Sequence, residues 1–140
     1  MYKIEKRFTL PIGHRLSKHA GRCFSLHGHN FTILVGIKTD VLDQNDMVID
    51  FGVLKKIVNT YLDGLDHCTL LNQTDRELAE HLKKIGTNVH LMGHDPTAEK
   101  LAERIYKSVK TTIRLTYPLI EMDYVTVYEN ENSKATYTEE

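Results

Sequence analysis

The sequence predicts an α+β fold, a four-stranded antiparallel sheet with helices packed on one face. Three observations carry this. Apolar and polar residues alternate near both ends of the chain, the period of a half-buried strand. Between those ends apolar residues recur at helical spacing. No repeat, low-complexity tract or Gly/Ser-rich linker interrupts the pattern, so residues 1–140 read as one domain.

Each element follows from its residues. Tyr2, Ile4, Phe8 and Leu10 share one parity and Lys3, Glu5 and Arg7 the other, which makes the first ten residues a strand. The polar "SKHAGR" that follows reads as a loop. From His27 to Lys38 the period of two returns, with Phe31, Ile33, Val35 and Ile37 on one face. After the turn-rich "DVLDQNDM", Asp50 is a good N-cap for a helix carrying Phe51, Leu54, Ile57, Val58, Tyr61, Leu62 and Leu65. Arg76 to Lys84 predicts a second, short helix that Gly86 stops, and "NVHLM" a short strand. Asp95-Pro96 marks the start of a third helix, because the missing N–H of proline is harmless at the first helical position. Its apolar stripe is Ala98, Leu101, Ala102, Ile105, Val109 and Ile113. The tail from Leu119 to Thr138 alternates again, broken by the hairpin connection "ENENS". Four strands leave two open sheet edges, which invite pairing with further copies of the chain.

Bulk properties narrow the function. A 41% hydrophobic, 26% charged chain with a formal net charge of −1 gives no electrostatic reason to expect nucleic acid or an anionic membrane as partner. No apolar run approaches the ~20 residues that span a bilayer. The N-terminal "MYKIEKRFTL" lacks the apolar core of a secretion signal. Two cysteines without such a signal predict reduced thiols in a cytoplasm. Eight histidines are more than composition alone suggests, and histidine is the commonest metal ligand.

The chemistry concentrates in "CFSLHGHNF", residues 23–31. On a strand His27 and His29 project side by side, as two imidazoles converging on one zinc require. His14 ends the preceding strand and is the best third ligand; His19, His90 and His94 read as solvated. Three histidines and one exchangeable position are the pattern of a catalytic zinc. Cys23 either closes that position as a fourth ligand or faces it as a reactive group, and spacing alone leaves both open. Asp66-His67 sets a carboxylate beside an imidazole, a pair suited to proton transfer or simply a cap and a solvated ring. Glu129 shares a strand face with Val125 and Val127, where a carboxylate costs free energy unless paired. It either reaches solvent at the strand end or awaits a cationic or amide-rich ligand.

With these residues in hand, the chain resembles the 6-pyruvoyltetrahydropterin synthase / 6-carboxytetrahydropterin synthase family. The resemblance rests on six motifs in order: "HRL" at 14–16, C-x-x-x-HGH at 23–29, "MVIDF" at 47–51, "LDH" at 65–67, "PTAE" at 96–99 and "VTVYE" at 125–129. Three residues between the cysteine and HGH resemble the bacterial 6-carboxytetrahydropterin synthase branch, which serves queuosine synthesis. The resemblance implies the tunnelling fold, whose trimers close a barrel and stack as a hexamer, with active sites at subunit interfaces. It implies zinc on His14, His27 and His29, Cys23 as proton acceptor, and His67 with Asp66 as proton relay. It further implies that Glu129 clamps the pterin edge and that Thr97 and Glu99 line the pterin pocket. The implied substrate is 7,8-dihydroneopterin triphosphate. Departures are "LPIGH" where the family usually has F-x-A-A-H, the absence of a common Gly before Met47, a longer "CTLLN" after Asp66-His67, and a longer, more polar segment at 73–94.

Overall fold

A computed structural model describes residues 1–140. The strands are β1 (Tyr2–His14), β2 (His27–Thr39), β3 (Thr69–Asn72), β4 (Val89–Met92), β5 (Glu121–Asn130) and β6 (Ser133–Tyr137), and the helices α1 (Phe51–Leu62), α2 (Arg76–Lys84) and α3 (Ala98–Thr116). All six strands form one sheet in the order β4-β3-β1-β2-β5-β6. The expected four-stranded antiparallel sheet is therefore its larger part, β1-β2-β5-β6. Two short strands extend it in parallel, β3 pairing with β1 only at Gly13 and His14, and β4 pairing with β3. Apart from that corner, β1 is an open edge, and β6 is the last strand at the other side.

The β1–β2 ladder matches residue for residue from Tyr2↔Thr39 to His14↔His27. Its inward parity carries Phe8, Leu10 and Ile12 on β1 and Phe31, Ile33, Val35 and Ile37 on β2, all buried. Helix α1 buries Leu54, Val58 and Leu62, and α3 buries Leu101, Ala102, Ile105, Val109 and Ile113, against the same core. Each of these side chains larger than alanine contributes about 1.5–3 kcal/mol of transfer free energy. Asp50 caps α1 as expected, accepting from Gly52 N at 2.7 Å.

Helix α2 departs from the one-faced arrangement. Leu70 and Leu71 are neighbours on β3 and point to opposite faces. Leu70 joins the main core, while Leu71 packs with Ala79 and Leu82 of α2 in a separate cluster. Strand β3 is thus covered on both sides, as parallel strands commonly are, while Leu91 on β4 stays exposed. Helix α3 begins later than Asp95-Pro96 suggests: its N-cap is Thr97, whose hydroxyl accepts from Lys100 N at 3.2 Å, and the helix continues to Thr116. Helix α1 ends at Leu62, and turns carry the chain through Leu65 to His67.

Candidate metal centre

The β1–β2 ladder ends on the cross-strand pair His14↔His27, with Ile12↔His29 two positions before it. All three histidines have the inward parity of Leu10 and Phe31, so their rings gather at one end of the core. Phe31 packs edge-on against His14 and His29, with ring centroids 5.6 and 5.3 Å away. Gly28 lies between the two β2 histidines; a Cβ there would sit 3.2 Å from the Ile12 carbonyl oxygen, so a side chain would press the two strands apart. Gly13 faces β3 at similar range, its would-be Cβ 3.1 Å from Thr69 Oγ1.

Two ring orientations are fixed by backbone carbonyls. His14 Nδ1 lies 2.9 Å from the Pro96 oxygen and His27 Nδ1 2.6 Å from the Ser25 oxygen. A carbonyl only accepts, so each Nδ1 carries the hydrogen and donates it, leaving Nε2 of the neutral ring with a lone pair. Those two Nε2 atoms face each other at 3.0 Å. Two lone pairs at that distance repel unless a cation or proton lies between them. With His29 added, one ligand atom from each ring lies within 4.8 Å of the others. Tetrahedral zinc at ~2.0–2.1 Å spaces its ligand nitrogens about 3.3–3.4 Å apart, so the trio is of the right size and chemistry to hold a metal ion. Burial lowers the pKa of His14, the neighbouring His27 and His29 add to the lowering, and the Pro96 hydrogen bond and Glu129 oppose it. The net direction favours the neutral, ligating form.

Cys23 does not join the trio. It is half-buried in a short 3-10 turn (Arg22–Phe24), where its carbonyl accepts from Leu16 N at 2.9 Å. The Arg15 guanidinium lies 4.7 Å over the ring of Phe24. Its own fork is held by Asp75. Cys68 is also a free thiol, fully buried in the main core. Glu129 follows the Thr32↔Tyr128 pair on β5, on the parity of buried Val125 and Val127, and its charge acts on the His14 ring.

The Asp66–His67 pair forms as expected, His67 Nδ1 donating to Asp66 Oδ1 at 2.7 Å. Its ring is 80% exposed and makes no contact with the trio's nitrogens. His67 adopts φ 60°, the left-handed region that costs a non-glycine residue about 1 kcal/mol or more. Its N–H donates to the Pro11 carbonyl at 3.0 Å, and the residue lines an open depression of about 400 Å³ with His29 and Asn30. Thr97 spends its hydroxyl on capping α3, and Glu99 is exposed in the first turn of that helix. Of the remaining histidines, His19 is exposed as expected and accepts from Gly21 N. His90 and His94 are half-buried, not solvated: His90 pairs with Leu70 on β3, and the turn after β4 brings His94 beside α3, where its Nδ1 is buried without a partner.

Sequence reasoning missed the two carbonyl acceptors at Ser25 and Pro96, since any residue supplies a carbonyl. It also missed Asp95. The carboxylate read as part of a helix start instead accepts from Ser17 Oγ at 2.6 Å, Lys18 N at 2.9 Å and Asn72 Nδ2 at 3.1 Å.

Comparison with known proteins identifies the family to which the chain belongs. Residues 3–140 match the profile described as 6-pyruvoyl tetrahydropterin synthase. A Haemophilus influenzae protein named 6-carboxy-5,6,7,8-tetrahydropterin synthase is 33% identical over 129 residues, covering 87% of this chain and 92% of that one. A protein of the same name from Aquifex aeolicus is 29% identical over 99% of both chains. Among solved structures, an uncharacterised protein from Wolinella succinogenes superposes with a TM-score of 0.83 at 21% identity, over 99% of this chain and 98% of that one. The Caenorhabditis elegans 6-pyruvoyl tetrahydropterin synthase gives 0.73 at 24%, over 99% and 96%. At these identities the superpositions show the shared fold alone.

Proposed function

The chain belongs to the 6-pyruvoyl tetrahydropterin synthase family, and from that membership we propose that it is a zinc-dependent 6-carboxy-5,6,7,8-tetrahydropterin synthase. It would act on 7,8-dihydroneopterin triphosphate, releasing triphosphate and acetaldehyde, in a cytoplasm and on the route to queuosine. The carboxy-forming branch is favoured by the names of the relatives at about 30% identity. The observation that carries the metal assignment is the pair of Nε2 lone pairs turned toward each other by carbonyl acceptors on the far side of each ring.

Zinc, when bound, supplies Lewis-acid polarisation of the substrate's side-chain oxygens. The roles of this chain's residues follow from their chemistry. Cys23, standing outside the ligand set, takes the proton from the substrate carbon as a thiolate. His67, its Nδ1–H held by Asp66, has Nε2 free to give or take a proton. Glu129 accepts paired N–H bonds from the guanidine-like edge of the pterin, which gives a carboxylate on an apolar strand face its partner. Thr97 and Glu99 line the same pocket. The lone exposure of Asp66 and His67 in one chain fits an active site completed by a neighbouring copy. The open edge of β1 and the terminal strand β6 would join copies into a trimeric barrel, two of which stack as a hexamer.

Two measurements test this. Mass spectrometry of products from dihydroneopterin triphosphate should find 6-carboxytetrahydropterin; a pyruvoyl or 6-hydroxymethyl product alone would reassign the reaction within the family. Cys23→Ala should keep its zinc and lose turnover. Loss of the metal would instead make the thiol a fourth ligand and the site a closed scaffold.

A further inference from the structure

We propose that Asp95 is a positioning residue for the metal, acting through the Pro96 carbonyl to hold His14 as a ligand. The inference rests on the metal assignment above and adds a residue to it. Its basis is a closed ring of bonds. His14 runs through the backbone to Ser17 and Lys18, whose hydroxyl and N–H donate to the two oxygens of Asp95. Asp95 is joined by one peptide bond to Pro96, and the Pro96 carbonyl accepts from His14 Nδ1. The carboxylate thus ties the segment that carries the ligand to the acceptor that orients it.

A third strut braces the ring. Asn72, fully buried at the end of β3, donates from Nδ2 to Asp95 Oδ1. Its own oxygen accepts from Thr74 N at 3.1 Å and Thr74 Oγ1 at 2.9 Å, which fixes the amide orientation. Every donor that reaches Asp95 therefore points inward, and the buried carboxylate is a pure acceptor for three of them. Charge-assisted bonds of this kind are about twice as strong as neutral ones. The site matters because a proline supplies the acceptor: Pro96 has no N–H with which to tether itself, so its position is set by its neighbours.

Asp95→Asn tests the idea with little change in size. Wherever the new NH2 group points, it meets a donor, either Lys18 N–H or the locked Asn72 amide. Zinc affinity of the whole chain would be measured by chelator competition, beside Val109→Ala, a buried substitution more than two turns along α3 from the site. Asp95→Asn should weaken zinc by about 10–100-fold, the usual effect of losing a partner that orients a ligand. Val109→Ala should lower the melting temperature and leave zinc affinity unchanged. Nitrogen NMR of the metal-free protein should show His14 protonated at Nδ1 in the native chain and a mixture of tautomers in Asp95→Asn. Equal zinc binding by native and Asp95→Asn protein, or an equal loss in Val109→Ala, overturns the positioning role alone. Failure of the native chain to bind zinc overturns the metal assignment with it.

Discussion

Along one pair of strands, the face that packs under the helices changes chemistry within two residues. From Phe8 to Ile12 on β1 and Phe31 to Ile37 on β2 it is hydrocarbon. One pair beyond Leu10↔Phe31, it becomes imidazole, ending on His14↔His27. Both halves share one ladder, one parity and the same neighbours in sequence. What separates them is what each group requires when water leaves. The hydrocarbon half asks only for close contact, which α1 and α3 supply. The imidazole half needs a partner for every ring nitrogen, and the chain supplies carbonyls for one side of two rings while leaving the other sides facing one another. Stability lies in the first half, and the unmet valence of the second is what could hold a metal ion.

This division can be broken by substitution. The largest effect is expected from His27→Ala, which should reduce zinc affinity more than about 100-fold by chelator competition, since it removes a ligand and not merely its support. Its ring is half-buried at the sheet's end, so thermal stability without metal should change little. Next, Ile33→Ala in the hydrocarbon half should cost about 2–5 kcal/mol in denaturant unfolding and leave the affinity for zinc intact in the folded protein. A matching loss of zinc would mean the halves are not separable.

The smallest effect lies at the seam, where the Cys68 carbonyl accepts from Gly13 N at 2.9 Å beside the histidine pair. Burial pushes the Cys68 thiol up to about 11, against a weaker opposing pull from Arg104. A group that holds its proton more tightly when folded contributes stability that is complete below its unfolded pKa. That contribution is lost as pH rises through the folded value. Between about pH 9 and 11 the native chain should therefore lose stability faster than Cys68→Ala does, read from denaturant midpoints. Identical slopes for the two proteins would show that the thiol is not shielded as its burial suggests.

How much of this was legible in the sequence depends on whether side chains or backbone carried the information. His14, His27 and His29 were found because strand parity and hairpin pairing are written in the alternation itself. The four antiparallel strands were legible for the same reason, and the three helices from apolar residues at helical spacing and from start and stop signals. Strand β3 was not: Thr69–Asn72 holds only two apolar residues, Leu70 and Leu71, adjacent and buried on opposite faces, so it lacks the alternation by which a half-buried strand is known. The second face of helices was hidden with it. The true cap of α3 was displaced because Asp95, an excellent capping residue by type, is held by Ser17, Lys18 and Asn72, residues far away in sequence. Carbonyls such as Pro96 and Ser25 leave no trace at all in residue identity.

The thirteen matched pairs of the first hairpin act as a ruler whose last graduation is a nitrogen placed where it could hold an ion. Slide one strand past the other by a single notch, and the mark at His14 falls on the wrong side of the ribbon. A cation that demands all three rings would therefore stabilise only the true alignment.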